Sequence, residues 1–304
     1  MGGIGLLPLW QQQVIRKLLP STRWQNLQGG PFTNAARAKT GHARSDCYVS
    51  WTRNCSTEAS REHFVSETVL RLIGDEHVAV NGVPWLTRGE TKALPIAGLV
   101  AAHILCKRHN EAMSCLDSIA GQLFAAVKSI YEDLGDFKSL SRKQQWLLFS
   151  GEELELWMLK TAFGLFHSGN VAKDRKRLRD TQEINPVLMQ AFEGASIPSP
   201  CGMYVLADNR PEKVDQNQMD LASLSSDNSE RMIGLRLRFW GVSLLILLDP
   251  MSTYNNAFLS EQAYRPDYLV FRNRSRSHTI VLTWPKKTVT LGVLFPIRPA
   301  RGGK

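Results

Sequence analysis

Long hydrophobic runs are missing from this 304-residue chain. Its longest apolar stretches, Phe239–Leu248 and Leu94–Leu105, are short and interrupted by Ser243 and His103. A membrane-spanning helix needs roughly 18 to 20 apolar residues, so a polytopic membrane protein is excluded. Cysteine is scarce: five residues, an odd number in a long chain, argue against a secreted disulfide scaffold. The start, Met1–Trp10, has neither a basic segment nor a small-residue cleavage site, so no signal peptide is expected. The reducing cytoplasm is the expected compartment, with no membrane partner. No Gly-x-x-x-x-Gly-Lys-Ser/Thr, Gly-x-Gly-x-x-Gly or Gly-x-Ser-x-Gly occurs, which removes support for nucleotide-cofactor and nucleophile-elbow chemistry.

What the chain does have is the texture of a folded protein. Hydrophobic residues make up 43% and charged residues 21%, enough apolar side chains for one large core or two ordinary ones. The net charge of +9 is uneven. Arg16, Lys17, Arg23, Arg37, Lys39 and Arg44 face only Asp46 in residues 1–46, and no acid follows Lys286. A second basic cluster runs from Lys173 to Arg179. Such a balance favours polyanionic partners through counterion release, against the plain alternative of a solvated basic face.

The expected organisation is α+β, in four stretches. Residues 1–45 form a basic, poorly ordered leader with a short helix around Leu9–Leu19, ended by Pro20. In residues 46–135, the Cys47–Cys55 segment reads as a strand-favouring loop. Ser66–Ile73 reads as a helix, Asn81-Gly82 as a hairpin turn, and Glu111–Leu134 as an amphipathic helix. Residues 136–230 are helix and loop, with a helix at Glu152–Phe166 and an exposed polar loop over Asp215–Glu230. Trp157 and Lys160 in that helix read as packing with a snorkelling lysine. Residues 231–304 are β-rich, with Arg272, Arg274 and Arg276 on one face if extended.

Chemistry concentrates between Cys47 and Asp117, which hold four of the five Cys and four of the seven His. Cys106-x2-His109 is a short chelating pair, and Zn2+ takes four such ligands in a tetrahedron. Cys47 and Cys55 are the sensible second pair, although seven residues separate them where two to four are usual. Cys115 falls in the helical register and is expected in the core. The competing reading is that all of these are ordinary buried thiols.

With Ser60-Arg61-Glu62-His63 between the two pairs, the arrangement resembles an HNH endonuclease domain, the ββα-metal or treble-clef zinc nuclease. It is also similar to bacterial proteins with a Ser-Arg-Glu-His segment and a later Leu-Cys-x-x-His-Asn. The resemblance covers about 70 residues. It implies a structural Zn2+ on Cys47, Cys55, Cys106 and His109, and phosphodiester hydrolysis of nucleic acid, DNA rather than RNA. His63 would be the general base, and Mg2+ or a similar hard cation would be held by Glu62 and Asn110, with Asp117 assisting. Arg61, Lys107 and Arg108 would be phosphate contacts. The chain departs from the family in its expanded first pair, in His109 as the last ligand, and in lacking the Asn that orients the catalytic His. That last departure either impairs catalysis or leaves His63 oriented from residues 64–105. The alternative is a non-catalytic zinc-stabilised nucleic-acid-binding or interaction protein.

Overall fold

The computed structural model describes residues 38–87, 89–135, 144–169, 172–173, 176–177, 180, 186–206, 218–225, 231–249, 262–285 and 291–297. The expected leader helix, much of the Lys173–Arg179 cluster and most of the basic C-terminal stretch lie outside the described residues. The fold is mixed α+β with a β-rich C-terminal region, as expected.

Two strands and a long helix carry the chemistry-bearing residues. Strand β1 (Ala59–His63) ends on His63, and 36 residues of chain then carry the short helix α1 (Glu67–Leu70), strands β2 (His77–Asn81) and β3 (Thr91–Pro95) and a turn before β4 (Val100–Cys106) returns antiparallel to β1. Helix α2 (Lys107–Gly135) follows without a break. Met113, Leu116, Ala120, Leu123, Phe124, Val127 and Ile130 recur at helical spacing and are all buried, which is why this stretch is helical and which face packs inward. The β1–β4 register slips: Ser60 faces Leu105 but Arg61 faces Ala102. His103 and Ile104 are the surplus residues of the resulting bulge, and His103 takes a left-handed φ of 61°.

Strand β5 (Trp146–Ser150) leads into helix α3 (Gly151–His167). Ser150 caps it by accepting from the Glu153 N–H at 3.2 Å, and Glu152 and Glu153 lie in the first turn, where the helix dipole favours acids. Fourteen of its seventeen residues are buried. The helix is enclosed on all sides rather than lying half-exposed, and Lys160 does not snorkel: it is buried. A two-residue ladder, β6 (Ala172–Lys173) with β7 (Lys176–Arg177), and helix α4 (Pro186–Gln190) precede the C-terminal strands.

Those strands are β8 (Gly202–Leu206), β9 (Gln218–Ser225), β10 (Met232–Phe239), β11 (Val242–Leu247), β12 (Gln262–Tyr264), β13 (Tyr268–Arg272), β14 (Ser277–Thr283) and β15 (Gly292–Pro296). One sheet has the order β12-β8-β11-β10-β9-β2-β3, so the hairpin from residues 77–95 extends a sheet built mainly from residues 202–264. The second has the order β15-β13-β14-β5. Within Asp215–Glu230, where a polar loop was expected, Gln218–Ser225 is a strand, because its Met219 and Leu221 alternate into the core. The run Ile233–Asp249 is two strands folded at Trp240-Gly241, whose φ values of 49° and 76° suit a tight hairpin turn. Arg272, Arg274 and Arg276 would share a face only in an extended segment, against the reading of a solvated loop; residues 273–276 are a turn, Arg272 ends β13, and Arg276 pairs with Asp133 at 3.0 Å.

Candidate metal centre

The Cys47–Cys55 segment is a loop, as read from the sequence, with a turn of 3-10 helix at Ser50–Thr52. Arg53 follows at φ 49° and reverses the chain. The loop is fastened to β4 by the Tyr48 N–H on the Ile104 carbonyl at 3.0 Å. This folds Cys47 and Cys55 back over the junction of β4 and α2, where Cys106 closes the strand and His109 sits in the first helical turn.

Cys47, Cys55, Cys106 and His109 are all buried, and their ligand atoms lie within 4.8 Å of one another. His109 Nδ1 is 3.1 Å from Cys106 Sγ, 3.5 Å from Cys47 Sγ and 3.8 Å from Cys55 Sγ. A tetrahedral zinc with ordinary Zn–S and Zn–N bonds places sulfur and nitrogen about 3.6 Å apart. The four groups can therefore hold a metal ion, and the donor set, three sulfurs and an imidazole, suits structural zinc. Cys106 is pushed down, by the Cys47 thiol hydrogen bond first and against burial, with further help from the backbone N–H groups of His109 and Ser56, the latter at 3.4 Å. The same sharing pushes Cys47 up. Burial pushes Cys55 up as well, so Cys106 alone of the three thiols is held toward thiolate, the form that binds metal. Cys115, expected in the core, is exposed on α2, its thiol directed at the Ala112 carbonyl.

Glu62 and His63 are neighbours on β1 but have different surroundings. Glu62 is buried with Lys160: Lys160 Nζ lies 2.6 Å from Glu62 Oε1 and 2.6 Å from Asp117 Oδ2. Ser66 donates its hydroxyl to Asp117 and accepts from the Trp157 indole at 2.7 Å. Burial works against the Lys160 charge, yet the two carboxylates hold it above its ordinary value. Burial pushes Glu62 up despite Lys160, and the neighbouring Asp117 adds to the rise. His63 is half-buried. Burial lowers its pKa, opposed by Glu67 and by the Ile96 carbonyl, and its Nε2 has no hydrogen-bond partner among the described residues.

Of the other expected site residues, Asn110 donates its amide to Ser60 Oγ at 2.7 Å. Arg61 is exposed on β1. Lys107, also exposed, pairs with Glu58 at 2.9 Å, and Arg108 reaches the Ala38 carbonyl at 3.1 Å. The sequence reading brought together Cys47, Cys55, Cys106 and His109 but missed Lys160 and Thr52. Thr52 touches the Cys3His cluster through its hydroxyl, 3.0 Å from His109 Nε2. A lone lysine in a helix apolar on every face was a readable signal for the first; nothing in the sequence marked the second.

Comparison with family models, with curated proteins and with solved structures returns no match. Among the described residues, no helix is long and apolar enough to cross a membrane.

Proposed function

We propose that the chain is a zinc-stabilised nucleic-acid-binding protein built on a ββα, treble-clef unit of the HNH kind, and that the unit binds without hydrolysing. The unit is supported by order: a Cys47/Cys55 knuckle, β1 ending on Glu62-His63, β4 ending on Cys106, and α2 opening with His109 and Asn110. Binding is supported by the charge of +9 and by exposed Arg53, Arg61 and Lys107 around the knuckle.

The observation that carries the absence of hydrolysis is Lys160. The HNH resemblance gives Glu62 to a hard cation, but a buried ammonium already lies 2.6 Å from it and from Asp117. A divalent ion there would leave that ammonium buried and unpaired, which is costly. One observation favours hydrolysis as a second reading: a neutral His63 with an unpartnered Nε2 is in the state a general base requires. In that reading Mg2+ would polarise the scissile phosphate, and Asn110 would be its remaining oxygen ligand.

The test is fluorescence anisotropy of a labelled DNA duplex against the zinc-loaded chain over a NaCl series, with a plasmid-nicking assay in Mg2+ alongside. Affinity falling linearly in log–log with salt, and no nicking, is the expected result. Nicking abolished by His63→Ala would establish the second reading instead. No binding at low salt would sink the nucleic-acid assignment.

A further inference from the structure

The seven residues between Cys47 and Cys55 are more than a zinc knuckle needs, and the surplus has a place in the structure. It forms the 3-10 turn Ser50–Thr52, which sets the Thr52 hydroxyl against the imidazole of His109. We infer that Thr52 is a positioning residue of the metal centre: it holds the His109 ring by accepting the Nε2 proton, and so makes Nδ1 the ligating atom.

A threonine hydroxyl has one proton to donate and lone pairs to accept with. Thr52 Oγ1 donates to the Val49 carbonyl at 2.9 Å, within its own turn. Toward His109 Nε2, 3.0 Å away, it is therefore an acceptor, and Nε2 carries the hydrogen. The neutral ring then has its lone pair on Nδ1. Nδ1 is the atom that faces Cys106, Cys47 and Cys55 at 3.1, 3.5 and 3.8 Å. With the opposite assignment, Nδ1–H would point into the sulfurs and leave no lone pair for a metal. A partner that accepts the far ring proton fixes both the tautomer and the plane of a ligating imidazole, and its loss commonly weakens metal binding 10- to 100-fold. The lengthened knuckle is thus the means by which one loop supplies two ligands and the partner of a third.

The inference rests on the metal reading of the cluster, and the experiment separates the two. Co2+ is titrated into the full-length chain, the wild type beside Thr52→Ser and Thr52→Val, following the visible ligand-field bands with a competing chelator. Far-UV circular dichroism monitors folding. In parallel, 15N-labelled, Zn2+-loaded wild type is examined by long-range 1H–15N correlation, which distinguishes a metallated Nδ1 from a metallated Nε2 and needs no variant. Expected are a protonated Nε2 on His109, wild-type affinity within about threefold for Thr52→Ser, and a 10- to 100-fold loss for Thr52→Val. Metallation at Nε2, or an unchanged affinity in folded Thr52→Val, overturns the role of Thr52 while leaving the centre intact. A wild-type chain that binds no Co2+ removes the metal centre itself, and the inference with it.

Discussion

His63 closes β1 half-buried, and that partial burial decides its charge. Desolvation is the largest influence on it and penalises the imidazolium, while Glu67 and the Ile96 carbonyl oppose the shift only in part. Its folded pKa therefore lies below the ordinary value near 6.5. For a group depressed on folding, the contribution to stability is complete above the unfolded pKa and is lost as pH falls through the folded one. The His63 ring resonance is expected to titrate with a midpoint below that of a free imidazole. Between pH 7 and pH 5 the wild type should lose more stability than His63→Gln, in which no proton is taken up. A midpoint at or above 6.5 by NMR would show that the ring is solvated and that the unpartnered Nε2 has water.

At the scale of elements, α3 sets the character of the interior. Its residues are apolar almost all round, and its two buried charges are Glu155, paired with Arg265, and Lys160, which lies where α3 meets β1 and α2. Removing one member of a buried ion group leaves the others uncompensated, at a cost of about 3–5 kcal/mol, whereas replacing all members by neutral groups costs far less. Lys160→Met is expected to lose stability in that range in urea denaturation. The triple variant Lys160→Met, Glu62→Gln, Asp117→Asn should recover most of the loss. A loss under 1 kcal/mol for the single variant would mean that water screens the group. This interaction also shows what was legible in the sequence. The helices of residues 107–135 and 151–167 were readable from local spacing, and Cys47, Cys55, Cys106 and His109 from a density of soft ligands that few other roles require. The Glu62–Lys160 pair was not, because its partners lie about a hundred residues apart and neither betrays the other locally. Strand Gln218–Ser225 was hidden by its polar outward positions, and the Trp240-Gly241 turn by the apolar run around it.

At the scale of the molecule, the Cys3His cluster belongs to a common interior. Cys47, Cys55 and Cys106 join one continuous set of buried side chains that runs through α2 and α3 to Phe295 and Ile297. The segment between β1 and β4 is tied in as well: β2 pairs parallel with β9, so β2 and β3 extend the seven-stranded sheet. Charged contacts fasten the helices to the C-terminal strands. Glu155 of α3 takes both Arg265 Nε and Nη2 at 2.8 Å, and Asp133 of α2 takes Arg276 and His278 at 3.0 and 2.7 Å. With the core shared in this way, losing the metal should weaken the whole chain rather than free one loop. A ligand bound only by the folded state stabilises it by about 2.7 kcal/mol at a hundredfold excess over its dissociation constant. For a domain of this size each kcal/mol moves the melting temperature by about 2–4 °C. Stripping with a strong chelator should therefore lower the melting temperature by about 5–10 °C in one transition, restored by zinc, in scanning calorimetry. Two separated transitions would show that the segment around the cluster folds on its own. An unchanged melting temperature would mean that the four side chains hold no metal and that their burial is packing alone.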